Sequence, residues 1–214
     1  MKILNLYAGI GGNRNLWGNM HEITAVEYDT NIASVYKQLY PSDNVVVTDA
    51  HEYLLEHFRE FDFIWSSPPC QTHSSFRQNI GVRYRGVKPV YPDMRLYQEI
   101  LFLKYNYDGL WVVENVKPYY KALIENTALL GRHLLWSNFS IPFIEFEKDN
   151  IRKSQIPDLQ KLYGIYLSLV RLPNKRQVLR NCVTPELGAY VLGIAMSSKK
   201  QLTPLSGDGK EGKL

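Results

Sequence analysis

Cysteine is scarce in this sequence: Cys70 and Cys182 are the only two in 214 residues. Two cysteines are too few for the disulfide framework of a small secreted domain. Metal binding by Cys70 is not expected either, because there is no Cys-x-x-Cys pair and His73 alone does not complete a tetrahedral ligand set. Cys70 is therefore a structural thiol or a nucleophile, whereas Cys182 is predicted to be a small buried residue.

Long apolar runs are absent as well. No stretch approaches the length needed to cross a bilayer, so we expect no membrane partner. The opening residues MKILNLYAGIGG contain only a brief apolar run and no small-residue cleavage site, which argues against a signal peptide. A hydrophobic content of 45% and a charged content of 21% are typical of a single globular domain. We expect a cytoplasmic protein.

The net charge of +4 is modest, but the basic residues are concentrated in two stretches. The first stretch contains Arg77, Arg83, Arg85, Lys88 and Arg95 against one acid, Asp93. The second contains Lys148, Arg152, Lys153, Lys161, Arg171, Lys175, Arg176 and Arg180 against Asp149 and Asp158. Tyrosines are interleaved in both. Basic side chains neutralise phosphates and aromatic rings stack on bases, so either a nucleic-acid groove or an ordinary solvated surface fits this pattern.

Strand and helix signals alternate in the first half of the chain. The strand-like segments are KILNLY, EITAVEY, NVVVTD, FDFIWSS and GLWVVENV, and helices are predicted over 13–20, 30–40, 51–58 and 94–104. Alternation of this kind predicts an α/β fold with a mostly parallel central sheet and helices on both faces.

The pattern weakens after residue 116. A further strand or hairpin is predicted over 129–142, a polar, basic and irregular stretch over 148–173, and a closing helix over 184–197. We therefore divide the chain into a core (1–145), a variable segment (146–175), a C-terminal helical segment completing the core (176–198) and a disordered tail (199–214).

Residues that could bind a ligand or take part in catalysis follow the predicted strands at their carboxyl ends, where parallel sheets bind ligands. The glycines of YAGIGG permit a tight turn and close approach of a ligand at a helix N-terminus. Glu27, after the second strand, can accept hydrogen bonds from both ribose hydroxyls, and Asp49, after the third, can accept one from the exocyclic amine of adenine. This set suits an adenine nucleoside, and a nicotinamide dinucleotide also fits.

The Pro-Pro-Cys turn in WSSPPCQTHSS favours a methyltransferase over a dehydrogenase. Carbon 5 of cytosine is too electron-poor to attack a methyl donor unaided, but a thiolate that adds to carbon 6 makes carbon 5 enamine-like. An acid near ring nitrogen 3 stabilises the charge that develops. Glu114, at the end of the fifth strand, can serve as this acid; the alternative is a capping or loop acid.

These motifs resemble the cytosine-5 DNA methyltransferases, which use S-adenosylmethionine. NLYAGIGG resembles the family's first motif, SSPPCQTHS its nucleophile motif, ENV its glutamate motif and LRNCVTPELGAYVLG its closing motif, all in the family's order. The resemblance implies a Rossmann-like class I methyltransferase fold with a small irregular target-recognition segment.

The resemblance also implies roles for individual residues. Cys70 would be the nucleophile, and Glu114 would contact ring nitrogen 3 and the amine of a flipped cytosine. Arg132, in GRHLLW, is a loose match to the family's Gln-x-Arg-x-Arg motif and would contact the base carbonyl or bound DNA. The cofactor-binding residues would be Tyr7, Gly9, Gly11, Glu27, Asp49, Pro69, Asn181 and Val183. The substrate-binding residues would be Pro69, Gln71, Ser74, Arg77, Arg95 and Asn115.

One departure concerns the target-recognition region, which is much shorter here than is usual in the family. Residues 147–175 would have to read the target, so we expect a short or relaxed recognition site, or help from a partner chain or self-association.

The main hypothesis is a bacterial or phage-encoded methyltransferase of double-stranded DNA, acting in restriction-modification, self-protection or regulation. The alternatives are a tRNA cytosine-5 methyltransferase and a partner-dependent or non-catalytic DNA-binding member of the family.

Overall fold

The structure is a computed structural model that describes residues 1–146, 151 and 153–202. Its strands are β1 (Lys2–Leu6), β2 (Glu22–Val26), β3 (Asn44–Val46), β4 (Phe63–Ser66), β5 (Leu110–Val116), β6 (Ala128–Leu130) and β7 (His133–Ser137). Its α-helices are α1 (Thr30–Leu39), α2 (Ala50–His57), α3 (Arg83–Arg85), α4 (Arg95–Asn106), α5 (Ile156–Tyr163), α6 (Lys175–Asn181) and α7 (Pro185–Leu202). A 3₁₀-helix covers Phe58–Glu60 and a π-helix covers Arg77–Val82.

All seven strands form one sheet in the order β3-β2-β1-β4-β5-β7-β6. Strands β1 to β5 are parallel to one another, and β7 runs antiparallel to both β5 and β6. The predicted α/β class and mostly parallel sheet are confirmed. The strand or hairpin predicted over 129–142 is a hairpin formed by β6 and β7.

Alternate residues of the central strands supply two hydrophobic layers, as the two-residue period of a strand requires. Ile3, Phe63 and Trp65 face α7, in a cluster that includes Leu187 and Val191. The intervening positions of β1 and β4 face α2 and α4 on the other side of the sheet. The sheet is therefore covered on both faces, which leaves the carboxyl ends of its parallel strands as the open edge.

Helix starts in the first half are set by acids that follow the strands. Asp29 caps α1 by accepting from the backbone N–H groups of Asn31 and Ile32, and Asp49 caps α2 through His51 and Glu52. The sequence predicts Thr30 as the cap of α1, which is wrong by one residue. The two caps place the side chains before α1 and α2 beside the same open edge.

The predicted helix over 13–20 is wrong, because these residues form turns. The start of α7 occupies the adjacent space: a Cβ at Gly188 would lie 2.1 Å from the carbonyl oxygen of Asn13. The glycine loop after β1 therefore does not lead into a helix of its own. Packing between residues far apart in the chain has replaced a local element.

The variable segment contains more regular structure than the sequence indicates. Helix α5 begins with a capping box between Gln155 and Asp158 and ends at Gly164 in the left-handed conformation. Leu159 and Tyr163 are fully buried, in a cluster with Ile10. Much of this segment therefore packs against the core. Residues 147–150 and 152, including Lys148, Asp149 and Arg152, lie outside the described residues.

The C-terminal helix extends past its predicted end. Helix α7 continues to Leu202, so residues 199–202 do not belong to the predicted disordered tail, and 203–214 lie outside the described residues. Within the part of the chain that the structure describes, no helix is long and apolar enough to cross a membrane. The same residues contain no cluster of three or more His, Cys, Asp or Glu side chains suited to a metal ion.

Candidate active site

A cavity of about 1240 Å³ opens at the carboxyl edge of the sheet. It brings together nearly all of the residues predicted for the site. These are Tyr7, Gly9, Glu27, Asp49, Pro69, Cys70, Gln71, Ser74, Arg77, Arg95, Glu114, Asn115, Arg132, Asn181 and Val183. Gly11 is the exception and does not line the cavity.

The glycine loop after β1 shapes one end of this cavity. Gly9 has φ 56°, and a Cβ built there would meet no atom within 4 Å, so the side of Gly9 where a side chain would lie is open. Gly11 (φ 78°) points the other way, and its Cβ would lie 2.3 Å from the ring of Tyr40 and 2.9 Å from that of Tyr36. Gly11 is therefore a packing glycine, and its predicted contact with the cofactor stays a prediction.

The carboxylate of Glu27 joins the glycine loop to β2. It accepts hydrogen bonds from the backbone N–H groups of Gly9 (2.9 Å) and Asp29 (2.9 Å). Two donors in the chain thus hold this carboxylate at the cavity wall. An acid at this place can accept further hydrogen bonds from a ligand, since each carboxylate oxygen has more than one acceptor site.

Asp49 and Arg95 form an ion pair at 3.0 Å beside the same end of the cavity. Burial raises the pKa of Asp49, but hydrogen bonds from the backbone of His51 and Glu52 and from Arg95 outweigh it, so the net pKa is lowered. Asp49 is therefore an ionised acceptor. Arg95 is thus paired with the acid predicted to bind the cofactor, and its own predicted contact with substrate stays a prediction.

A buried carboxylate that sequence reasoning missed connects this region to β4. Glu99, on α4, is 1% exposed and accepts hydrogen bonds from the hydroxyls of Tyr7 (2.5 Å) and Ser66 (2.5 Å). The Nδ1 atom of His51 lies 3.0 Å from Glu99. Burial, and then the charge of Glu99, raise the pKa of Tyr7, which keeps its hydroxyl a donor. The signal that could have found Glu99 was an acid on the apolar face of a helix.

The turn that carries Cys70 is held by backbone and side-chain hydrogen bonds. Asn115 donates to the carbonyl of Pro68 at 2.8 Å, and the N–H groups of His73 and Ser74 donate to the carbonyl of Cys70 at 3.1 and 3.0 Å. Asn115 is 1% exposed. Its amide therefore stabilises the turn, and the substrate contact predicted for Asn115 stays a prediction.

The thiol of Cys70 is half-buried and faces an acid. Burial, and then the charge of Glu114, raise its pKa, while Arg132 acts in the opposite direction. The resting side chain is consequently a thiol at neutral pH. Nucleophilic attack by Cys70 requires removal of its proton as the bond forms.

Glu114 is paired with His133, a second residue that sequence reasoning missed. The two side chains are on the antiparallel strands β5 and β7, and Nδ1 of His133 lies 2.5 Å from Oε1 of Glu114. Burial alone would raise the pKa of Glu114, but His133, Ser67 and Arg132 outweigh it and lower the pKa. The only signal for His133 was its place directly after the Gly131-Arg132 turn, opposite the ENV strand.

Arg132 connects the β6–β7 turn to the closing motif. Its guanidinium donates to the carbonyls of Arg180 (3.3 Å) and Cys182 (3.2 Å). Cys182 is buried against Gly12, as predicted for a structural thiol. Arg132 thus fastens the segment that brings Asn181 and Val183 to the cavity, and its predicted contact with the base or with DNA stays a prediction.

The basic stretch after Cys70 forms an exposed flap beside the cavity, which we call the basic loop (residues 76–94). Every residue from 83 to 91 is exposed, including Tyr84 and Tyr91. Arg77 and Arg85 line the cavity, and Arg77 donates to the carbonyl of Lys88 at 3.2 Å. Among the described residues, no ion pair involves Arg83, Arg85 or Lys88.

Comparison with known proteins agrees with the geometry. Residues 1–89 match the model of the family described as C-5 cytosine-specific DNA methylase. No curated protein matches the chain.

Several solved structures are similar to this one. A DNMT2 mutant from Spodoptera frugiperda is 29% identical, with 57% of this chain and 37% of that chain covered and a TM-score of 0.40. A SAM-dependent methyltransferase from Agrobacterium tumefaciens is 16% identical, with 57% and 40% covered and a TM-score of 0.35. The methyltransferase EhMeth from Entamoeba histolytica is 10% identical but covers 93% of this chain and 98% of its own, with a TM-score of 0.51.

The likeness to EhMeth extends the methyltransferase fold over nearly the whole chain, whereas the chain spans little more than a third of the Spodoptera protein. The family match covers the glycine loop, both cofactor-type acids and the Pro-Pro-Cys turn. Over residues 1–89, the chain is therefore similar to the C-5 cytosine-specific DNA methylase family.

Proposed function

We propose that this protein transfers a methyl group from S-adenosylmethionine to carbon 5 of a cytosine flipped out of duplex DNA, through a covalent adduct with Cys70. The observation that carries this proposal is the convergence of Cys70 and Glu114 on one cavity with Gly9, Glu27 and Asp49. A nucleophile and an acid suited to a pyrimidine thus share a space with two acids suited to an adenine nucleoside.

The residues at the glycine-loop end fit S-adenosylmethionine. The open face of Gly9 leaves space where any other residue would place a Cβ, and Glu27 keeps acceptor capacity for ribose hydroxyls. Asp49 supplies a second ionised acceptor on the next strand. Two carboxylates also suit a ligand that carries a sulfonium charge. When bound there, S-adenosylmethionine supplies an electrophilic methyl group.

The other end of the cavity fits the pyrimidine. As Cys70 loses its proton and its sulfur bonds to carbon 6, negative charge develops on the ring and reaches nitrogen 3. Glu114 stabilises it with a proton or hydrogen bond at nitrogen 3 and accepts one from the exocyclic amine. After methylation a base, such as water, takes the carbon 5 proton, and the electrons of that bond re-form the 5,6 double bond and expel the thiolate. Pro69, an exposed residue next to Cys70, shapes the approach.

DNA is the substrate that we propose, since the basic loop borders the Cys70 end of the cavity and its cations are free to meet phosphates. Its exposed tyrosines offer faces on which bases stack. The apolar residues of the described part of the variable segment pack against α1 and the glycine loop, so only its exposed polar side is available to read a sequence. A short or relaxed target site is consistent with this arrangement.

The test is transfer of labelled methyl groups from S-adenosylmethionine to unmodified duplex DNA, with tRNA in a parallel reaction. Wild-type protein should label DNA at carbon 5 of cytosine, and Cys70→Ser should not. Cys182→Ala, which removes the other thiol, is the matched control and should retain transfer. Label on tRNA alone would replace DNA by RNA as the substrate, and equal labelling by Cys70→Ser would refute the covalent mechanism.

A further inference from the structure

His133 has a geometry that its place in the sequence does not explain. It follows the β6–β7 turn, is 5% exposed, and directs Nδ1 at the carboxylate of Glu114, which is also 5% exposed. Val116 pairs with His133 in the sheet, and Glu114 is two residues before Val116 on the same face of β5. The antiparallel register therefore holds the two side chains against each other.

A distance of 2.5 Å between Nδ1 and Oε1 requires a proton between the two atoms. The hydrogen bond fixes the ring so that Nδ1 carries this proton when the imidazole is neutral, and both nitrogens carry one when it is charged. Glu114 receives further support from Ser67 and Arg132. The carboxylate is thus held ionised at rest, although the proposed reaction asks it to give hydrogen to nitrogen 3.

We propose that His133 is the proton partner of Glu114: the pair stores one proton, which passes to nitrogen 3 of the target cytosine as Cys70 adds to carbon 6. This inference rests on the proposed function. The sulfur–carbon bond forms while the Cys70 proton passes to water, and the electrons of the 5,6 double bond move toward nitrogen 3. The charged imidazolium of His133 gives one proton to Glu114, and Glu114 gives one to nitrogen 3, which leaves Glu114 ionised and His133 neutral. The proton returns along the same path when the thiolate leaves. His133 touches no substrate atom in this scheme and acts as a positioning residue.

The surroundings of the pair allow this exchange. The charged and titratable groups that line the cavity walls around it include Cys70 after β4, Lys117 after β5, Arg132 in the β6–β7 turn, Glu145 after β7, and Arg180 with Cys182 before α7. Arg132 is attached to the carbonyls of Arg180 and Cys182, so its charge is fixed beside the pair. Arginine does not give up its proton in this pH range, and His133 is the titratable side chain that is hydrogen-bonded directly to Glu114.

Amide substitutions separate proton storage from simple hydrogen bonding. In His133→Asn, the side-chain amide nitrogen takes the place of Nδ1 and still donates to Glu114, but it cannot release a proton. His133→Gln places its amide at the other ring nitrogen, and His133→Ala removes both. The control is His57→Asn, since His57 forms a similar pair with Glu60 (2.7 Å) on the surface, away from the cavity.

The measurement is kcat and KM for duplex DNA as a function of pH, with the affinity for S-adenosylmethionine as a test of folding. We expect His133→Asn to lower kcat by about 10-fold or more, with KM and cofactor affinity close to wild type. On the alkaline side, kcat should begin to fall at a lower pH in this variant than in wild type. The reason is that Glu114 alone keeps a proton over a narrower pH range than the pair does. His57→Asn should match wild type.

The proposal is overturned if His133→Asn keeps both the rate and the pH profile of wild type, since a hydrogen bond would then suffice. A wild-type protein that methylates no nucleic acid would instead refute the proposed function. In that case the nitrogen-15 spectrum of the histidines decides the pairing. A proton on Nδ1 of His133 whose signal changes in Glu114→Gln supports it, and a ring protonated only at Nε2 overturns it.

Discussion

The hydroxyl of Tyr7 and the carboxylate of Glu99 form a 2.5 Å hydrogen bond between residues that are 92 positions apart in the chain. Tyr7 begins the glycine loop with φ 55°, a conformation that few non-glycine residues adopt. Ser66 donates to the second oxygen of Glu99, just before the Pro-Pro-Cys turn. One buried acid thus connects the glycine-loop end of the cavity with the strand that leads to Cys70.

Glu99→Gln should weaken both stability and cofactor binding. The amide nitrogen of glutamine would face a hydroxyl or ring that now donates, so a buried donor loses its acceptor at a cost of about 1–3 kcal/mol. Urea unfolding and calorimetric titration with S-adenosylmethionine measure the two effects. Glu56→Gln, on the exposed side of α2, should change neither. Wild-type affinity in Glu99→Gln would show that Tyr7 does not depend on this bond.

Two glycine substitutions should have opposite outcomes. Gly11→Ala pushes a methyl group into the rings of Tyr36 and Tyr40 and should destabilise the protein by about 1–3 kcal/mol from overpacking. Gly9→Ala meets open space, so its stability cost is limited to backbone strain of about 1–2 kcal/mol. Its methyl group should nevertheless lower the affinity for S-adenosylmethionine. If Gly9→Ala binds the cofactor normally, the cofactor does not approach this face.

The reactivity of Cys70 should increase with pH over a higher range than that of a free thiol. Burial and the charge of Glu114 raise its pKa, so the thiolate is scarce at neutral pH and appears as the pH rises. Alkylation of Cys70 with iodoacetamide, followed by mass spectrometry against glutathione as the reference, measures this profile. Glu114→Gln removes one of the two causes and should move the profile to lower pH. A Cys70 that alkylates fastest in acid would contradict this account of its surroundings.

Substitution in the ion pair of Arg14 and Asp43 tests whether the region behind the glycine loop is buried as the structure has it. Arg14 lies 2.8 Å from Asp43, and both side chains are almost fully buried beside Tyr36 and Tyr40. Asp43→Asn leaves a buried arginine without its counter-ion and should cost about 3–5 kcal/mol of unfolding free energy.

The matched control for this pair is the half-exposed pair of Asp62 and Lys199. Asp62→Asn should cost no more than about 1 kcal/mol, because solvent screens that pair. Equal losses in the two variants, measured by urea unfolding, would contradict the burial of Arg14 and Asp43.

Nucleic-acid binding should depend on the basic loop more than on the variable segment. Replacing Arg83 and Arg85 together by alanine should weaken binding to duplex DNA. The slope of log affinity against log salt should fall by about one for each phosphate that the variant no longer neutralises. The comparison is the double substitution of Lys161 and Arg171, exposed residues of the variable segment. A greater weakening in the second variant would move the DNA-binding surface to the variable segment.

Several parts of the fold followed from local signals. The five parallel strands, α1, α2 and α4 agree with the apolar periodicity and the caps at their ends, within a few residues. The exceptions have physical causes. Residues 13–20 have an amphipathic pattern, but the start of α7 packs on Asn13 where that helix would need space. Helix α5 was not predicted because most of its stretch of sequence is polar or basic and only a few of its residues are buried.

Which residues meet at the open edge of the sheet can be read from the order of the strands. Glu27, Asp49 and Cys70 follow β2, β3 and β4, Glu114 lies near the end of β5, and parallel strands bring such positions together whatever the details of packing. How these residues are supported depends on contacts that form only when the chain is folded. The partners of Glu114, Tyr7 and Asp49 are His133, Glu99 and Arg95, which lie 19, 92 and 46 positions away. Hydrophobic periodicity records the face on which a residue lies, but it carries no information about which distant polar group lies opposite.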